Sequence, residues 1–304
     1  MNKSFLLYPV PPFRLDLSVW ALRRRDRNLI DSWDDQTYSR VFIVDSQTIK
    51  VSLKQIQNDN NPQILVSTQV PISKVVQNKL SQLLRFIFSL DMDMTEFYDF
   101  SNKDMHLKPL VQRFKGMKPP RFPSLFEALC NAIACQQLSL DAGISLLNKF
   151  SHQFGNVIVD KQKVSHAFPE PQVIKNQNLS DLKKLGFSLR KSEAIILIAE
   201  RFCDPQGFLS HPQIHTDEEI ISALSALKGI GRWSSEYTLL RGLGRIHLFP
   251  QDDIGAQRNF KQFLHLHGEM NHQKMQKIIN MWYPYSGLIY FYLLLKNLDA
   301  KGLL

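Results

Sequence analysis

Leu224 to Phe260, LSALKGIGRWSSEYTLLRGLGRIHLFPQDDIGAQRNF, is the stretch whose reading decides the fold. A helix stops at Gly229-Ile230-Gly231, and a second begins with Arg232, Trp233 and Ser234. A loop through Leu248-Phe249-Pro250 then ends in Asp252 and Asp253, at the start of a third helix. Upstream, Thr216-Asp217-Glu218-Glu219 is a capping box that starts the first helix, with Ile220, Leu224 and Leu227 as its apolar stripe. Gly229 and Gly231 permit positive φ and leave no Cβ in the way of an approaching ligand. The amides behind them open the second helix, where an anion such as a DNA phosphate is favoured. An ordinary glycine C-cap followed by an exposed helix start fits the same residues. Asp253 before Ile254-Gly255-Ala256 reads most simply as an N-cap. Trp233 and Tyr237 lie one turn apart and share a helix face, as core aromatics or as walls of a site.

The surrounding chain narrows the setting. Lysine plus arginine total 37 against 28 acids, a net charge of +9. With a sequence pI near 9.4, this suits a polyanionic partner, although a membrane surface, RNA or plain solubility also fits. A 44% hydrophobic fraction describes a globular chain. Three cysteines, Cys130, Cys135 and Cys203, are too few for a disulfide framework or a four-cysteine iron–sulfur cluster. Histidines and cysteines show no zinc-site spacing, so no metal is expected on side chains. Pro9, Pro11 and Pro12 break the N-terminal apolar patch, which is not expected to be a signal peptide. Leu288 to Leu295 is too short to span a bilayer. These features predict a reduced intracellular compartment away from membranes; a monomer is expected, cytoplasmic if bacterial and nucleoid-associated through DNA if DNA is its partner.

Residues 1–115 differ in texture from the rest. Segments 38–44, 49–53 and 63–67 read as strands, and helices are predicted near 18–24 and over 73–88. This is an α+β N-terminal domain built on an antiparallel sheet. Arg23, Arg24, Arg25 and Arg27 form a basic run, read as a solvated helix end in preference to a DNA contact. Residues 115–123, KGMKPPRFP, form a linker with three prolines and a glycine. An all-α domain then occupies 116–304, with the helix-hairpin-helix near 216–240. Ser124-Leu125-Phe126-Glu127 is its first capping box. Gln136-Gln137-Leu138-Ser139 interrupts an apolar run as a polar connection between buried helices. Residues 185–195, LGFSLRKSEAI, form a turn opening a helix on which Arg190 and Lys191 reach phosphate or simply charge the surface.

The order Leu-x-Gly-Ile-Gly-Arg-Trp, then Phe-Pro-x-x-Asp-Ile-Gly, resembles the helix-hairpin-helix DNA glycosylases with a Gly/Pro-rich loop and a catalytic aspartate. It is most similar to the DNA-3-methyladenine glycosylase II family among them. The resemblance is close over about 116–295 and loose before that. It implies removal of alkylated bases from double-stranded DNA containing a damaged base, with Asp253 as the catalytic carboxylate and Asp252 as its adjacent competitor. The family places aromatics at Trp233 and Tyr237 against the extruded base. Its bifunctional members carry a lysine where Trp233 stands, which implies a monofunctional enzyme here. Ala-Ile-x-x-Gln-Gln-x-Ser is similar to the loop that fills the duplex gap, with Gln137 as the wedge beside Gln136. Gly229, Gly231, Arg232 and Ser234 are the implied DNA-binding residues, and hairpin carbonyls are implied to hold a monovalent cation. Trp282-Tyr283-Pro284-Tyr285 matches a C-terminal signature. Arginines common in the family are absent at Tyr283 and Ser286, and Leu294 stands where some relatives place tryptophan. A glycosylase for deaminated or oxidised bases, or a non-catalytic helix-hairpin-helix DNA-binding protein, are the alternatives.

Overall fold

The computed structural model describes residues 2–160, 163–210, 212–266 and 272–304. Its first part runs β1 (Asn2–Leu7), α1 (Leu15–Arg23), β2 (Ser32–Trp33), β3 (Thr37–Val44), β4 (Gln47–Gln55), β5 (Ile64–Ile72), α2 (Lys74–Ile87), α3 (Thr95–Asn102) and α4 (Leu107–Arg113). The helical part follows with α5 (Leu125–Cys135), α6 (Leu140–Phe154), a hairpin of β6 (Val157–Asp160) and β7 (Lys163–His166), and α7 (Pro171–Ile174). It continues through α8 (Leu179–Lys184), α9 (Leu189–Phe202), α10 (Asp217–Ser225), α11 (Arg232–Thr238), α12 (Ile254–Phe263), α13 (His272–Met281) and α14 (Ser286–Asp299).

The five-stranded sheet has the order β1-β5-β4-β3-β2, and every neighbouring pair is antiparallel. The α+β domain and helical core expected from the sequence are both present. The three predicted strands are β3, β4 and β5, the last two longer than the pattern suggested because pairing continues past the apolar residues. On α2, Val76, Leu80, Leu84 and Ile87 recur every three or four residues and are buried, and Ser73 caps it by accepting from the Val76 amide. Helices α3 and α4 and the hairpin β6–β7 were not anticipated. Their apolar positions are few and their pattern too short to carry a period.

The boundary near residue 115 is a change of texture, and the core runs across it. One cluster packs Leu17, Trp20, Phe97 and Leu110 against Phe260, Trp282, Leu288 and Phe291. Another joins the sheet and the buried face of α1 to Ala128, Ala132 and Tyr237. A third gathers residues of α5, α6 and α7 to α10 around the hairpin motif, Ile230 among them, and takes Ile30 from the N-terminal part.

Two capping expectations end differently. At Thr216 the full reciprocal box forms. At Ser124 only half forms, because the hydroxyl accepts from the Glu127 amide while the Glu127 carboxylate turns to Arg40 at 2.5 Å. Arg40 also pairs with Asp31 at 2.9 Å, and Asp31 accepts from the Tyr38 hydroxyl. All three ions are buried, so the guanidinium ties β3 and the loop after α1 to the first helix of the core. Replacing Arg40 by Met strands two carboxylates away from water, and a loss of about 3–5 kcal/mol in urea unfolding is expected. Adding Glu127→Gln should recover part of that loss; a single-variant effect below about 1 kcal/mol would mean the ions are hydrated.

Candidate active site

The chain between α10 and α12 folds as its composition requires. Gly229 sits at φ +92, and a Cβ there would meet the Ala194 Cβ at 2.9 Å, so both conformation and packing against α9 demand glycine. Gly231 departs from the sequence expectation. It adopts φ −112, ψ 178, which is extended backbone open to any residue. A Cβ there meets nothing within 4 Å, because Gly231 faces open space on the cleft side. After α11 the helix widens into a π segment, Leu239–Leu243, which ends on Gly244 in the left-handed region.

The loop that follows is pinned at both ends. Asp217, at the start of α10, pairs with Arg245 at 2.9 Å and with His247 Nε2 at 2.7 Å. From the other side, Ser286 Oγ donates to the His247 carbonyl at 2.6 Å, and the Leu288 amide donates to Ile246. A Cβ on Gly287 would lie 2.3 Å from the Leu248 carbonyl oxygen, so α14 approaches the loop as only glycine allows. Ser286, at a position where the family resemblance implies arginine, holds this loop, whereas Tyr283 is exposed.

The pinned loop delivers Asp253 to the N-cap of α12, where Oδ1 accepts from the Ala256 amide at 2.8 Å. Asp253 also lines a cleft of about 990 Å³ that collects most of the residues expected to act together. Gln136, Gln137, Gly229, Gly231, Trp233, Ser234, Tyr237 and Asp252 all border it. Arg232 does not; it pairs with Glu236 at 2.7 Å and with Glu218 at 3.5 Å on the outer face of α11. The Trp233 and Tyr237 rings lie 5.7 Å apart at 32°, a continuous aromatic wall.

Three aspartates border the cleft, and their surroundings separate them. Asp141 is held by Arg25 and Arg27, and Asp252 is exposed. Burial pushes the Asp253 carboxyl up from the usual carboxylate range. The Ala256 and Gly255 amides pull it back, helped by the Tyr290 hydroxyl and by the Trp233 indole. That indole Nε1 is buried without a hydrogen bond of ordinary geometry.

The loop from Gln136 to Ser139 joins the hairpin directly. Gln136 Nε2 donates to the Gly229 carbonyl at 3.0 Å and to Ser234 Oγ at 2.9 Å. Gln137 is exposed beside it at φ +53, in the left-handed region. Lys191 does not project toward solvent. Its ammonium donates to the carbonyls of Ala134 and Gln136 and closes the C-terminus of α5. Of the hairpin carbonyls, Leu227 accepts from the Ile230 amide and Gly229 from Gln136. Each carbonyl keeps a second lone pair, which fits a monovalent cation alongside.

Three contributors escaped the sequence reading. Tyr290 and Leu294 reach the cleft from α14. Leu294 was noted only as a missing tryptophan, and Tyr290 sits in an unbroken apolar helix. The third corrects the reading of the basic run. Arg23 and Arg24 are buried, at 5% and 4% exposure, and Arg25 and Arg27 share Asp141. Arg24 borders the cleft and donates to the Tyr237 hydroxyl at 2.8 Å and to Asn131 Oδ1 at 2.6 Å. A run of arginines carries no sign of which one turns inward.

Among the described residues no group of three or more His, Cys, Asp or Glu is placed to hold a metal, and no helix is long and apolar enough to cross a membrane.

Comparison with known proteins agrees with this arrangement. A family model described as "HhH-GPD superfamily base excision DNA repair protein" matches residues 130–284. A DNA-3-methyladenine glycosylase of Bacillus subtilis is 30% identical over 247 residues, covering 80% of this chain and 81% of that one. A second protein of that organism, named a putative DNA-3-methyladenine glycosylase, is 25% identical over 93% of this chain and 95% of its own. The solved 3-methyladenine DNA-glycosylase from Archaeoglobus fulgidus superposes with a TM-score of 0.85, at 23% identity, over 96% of this chain and 97% of that one, and shares the fold. The chain belongs to the HhH-GPD superfamily of base excision DNA repair proteins.

Proposed function

We propose that this protein is a monofunctional DNA glycosylase. It binds double-stranded DNA, extrudes an alkylated base of the 3-methyladenine type and hydrolyses its N-glycosidic bond, leaving an abasic site. The observation that carries this reading is Asp253. It is the one enclosed carboxylate of the three on the cleft, fixed on a helix N-terminus beside an aromatic wall.

To reach C1′ the enzyme takes the nucleotide out of the stack, which costs a few kcal/mol and least for a damaged base. In our reading the backbone around Gly229 and Gly231 grips the phosphate beside the lesion; the Leu227 and Gly229 carbonyls would hold a monovalent cation, whose positive charge would favour the phosphate there. Gln137 stands in the vacated stack. Its exposure and left-handed backbone support that reading, and Gln136 ties the loop to the hairpin. Grip and wedge thus move as one unit. Arg232, facing away from the cleft, plays its part through Glu236 and Glu218.

The base slides in against the wall of Trp233 and Tyr237, with Tyr290 also bordering the cleft. A purine alkylated at N3 or N7 is a cation and gains roughly 0.5–2 kcal/mol from an electron-rich ring face. It leaves as a neutral molecule, so no general acid is required. The remaining demand is at C1′, where positive charge develops, and Asp253 supplies the carboxylate that stabilises it and orients water. Trp233 occupies the position of a Schiff-base lysine and cannot form an imine. Of the lysines on the cleft, Lys191 is committed to two backbone carbonyls and Lys301 is exposed beyond α14.

Asp253→Asn keeps the shape and the cap acceptor but removes the charge. Base release from duplex carrying 3-methyladenine or 7-methylguanine should fall at least about 100-fold, while lesion-duplex affinity in a gel-shift titration stays within a few-fold of the parent. Undiminished release would remove Asp253 from the chemistry. The active form is the carboxylate, and burial raises its pKa. Single-turnover rates should therefore decline on acidification at a pH above the usual carboxylate range. A profile flat down to that range would contradict the assignment. Gln137→Ala should slow release from duplex by about 10-fold while leaving single-stranded lesion DNA nearly unaffected, since only a paired base needs replacing; equal effects on both would deny Gln137 the wedge.

A further inference from the structure

Beside the base pocket lies a guanidinium with no carboxylate among its hydrogen-bond partners, Asp31 and Glu127 acting on it only at longer range. Arg24, in the left-handed region at φ +62, closes α1 and sends its side chain into the helical core. Its hydrogen-bond acceptors are neutral, the Tyr237 hydroxyl and the Asn131 amide oxygen, and its Nε is buried with no partner. Its carbon Cζ lies 5.5 Å from the Phe122 ring. Arg241 stands on the other side of that ring's environment, with Cζ 4.9 Å from the centroids of Phe122 and Phe291. It too donates only to neutral groups, the carbonyls of Ala21 and Leu22. Of the two, Arg24 borders the cleft, beside Tyr237, Tyr290 and Cys135. A buried cation normally needs an anionic partner or a functional reason to stay.

The chemistry supplies the reason. When the C1′–N bond breaks, both bonding electrons go to the base, and water adds to C1′ and gives up a proton. A base that began as a cation becomes neutral; a base that began neutral becomes an anion and takes up that proton or one from solvent. In both cases the base gains one negative charge on the way to the transition state, in a site of low dielectric where a fixed cation acts strongly.

We propose that Arg24 is a leaving-group residue, a fixed cation under the extruded base that stabilises the electron pair arriving on it and thereby sets which bases are released. The inference rests on the glycosylase reading above and adds a selectivity rule. For a cationic alkylpurine the guanidinium repels the bound substrate, and the repulsion vanishes as the bond breaks. It raises kcat and KM together and leaves kcat/KM nearly unchanged. For a neutral purine it stabilises an anion that the free substrate lacks, and it raises kcat/KM. Arg24 therefore widens the range of the pocket toward lesions that carry no charge of their own.

The test compares the full-length protein with Arg24→Gln, which keeps amide donors for Tyr237 and Asn131, and with Arg24→Lys, which keeps the charge without the planar fork. Rates are measured on duplexes carrying 7-methylguanine, a cation, and hypoxanthine, a neutral base, with melting temperatures to confirm folding. Arg24→Gln should lower kcat/KM about 10- to 100-fold on hypoxanthine. On 7-methylguanine its kcat and KM should fall together, with their ratio within about threefold of the parent. Arg24→Lys should restore much of the hypoxanthine rate. If the parent releases only 7-methylguanine, the joint fall of kcat and KM on that substrate decides alone. Equal loss of kcat/KM on both bases, or no rescue by lysine, would reduce Arg24 to a packing residue and overturn the proposal. A parent that releases neither these bases nor 3-methyladenine would overturn the glycosylase reading, and this inference with it; a parent that releases 3-methyladenine alone would overturn this inference and leave the reading standing.

Discussion

Three guanidiniums, on Arg24, Arg40 and Arg241, are buried where the N-terminal domain meets the helical core, and the site depends on them. Arg40 joins β3 to α5 through Glu127. One turn further along α5, Asn131 donates to the Glu127 carbonyl and accepts from Arg24. Arg24 in turn holds the Tyr237 hydroxyl, and Arg241 returns from the π segment to the last carbonyls of α1. Arginine suits this use because its planar fork satisfies several acceptors at once and it stays charged when dehydrated. The arrangement couples fold to site, since among the described residues the N-terminal part borders the cleft through Arg24 and Arg25, at the end of α1.

A second coupling runs between the proposed wedge and the proposed phosphate grip. Lys191 closes the end of α5, Gln136 reaches from that end to the Gly229 carbonyl, and Gln137 is left exposed. A loop fastened by neighbouring backbone carbonyls on one side and by a hairpin on the other loses little further freedom when it enters DNA. The ordering cost has been met in folding, which is what preorganisation of a binding loop amounts to.

The legibility of this protein in its sequence follows the range of each interaction. Signals set by local backbone chemistry were readable. They include the Thr216 capping box, the Gly229 turn, the helix beginning near residue 73 and Asp253 as the cap of α12. Features that depend on distant residues were not. Glu127 looks like the second half of a capping box until Arg40 arrives from residues 87 positions away. Arg24 reads as one of four solvated arginines until α1 is docked on α5. Tyr290 hides in the apolar run Leu288 to Leu295, because a helix buried on nearly all sides has no period to reveal the one face that borders a cleft. Gly231 shows the reverse failure: the pair of glycines looked equivalent, and only Gly229 is in the left-handed region.

Asp253 combines two roles that draw on the same geometry. As an N-cap it commits one oxygen, Oδ1, to the Ala256 amide, and the helix N-terminus favours negative charge there. Enclosure by the cleft has the opposite effect and raises the carboxyl's pKa. Neither influence alone suits a group that must be ionised, rigid and only weakly solvated. Capping without enclosure gives a carboxylate whose field is screened by water; enclosure without capping gives a neutral acid. Their combination leaves Oδ2 as a fixed charge in a slot of low dielectric, held by a helix that Phe260 anchors in the core. The structural role of the aspartate is therefore what would fit it for the catalytic role proposed above.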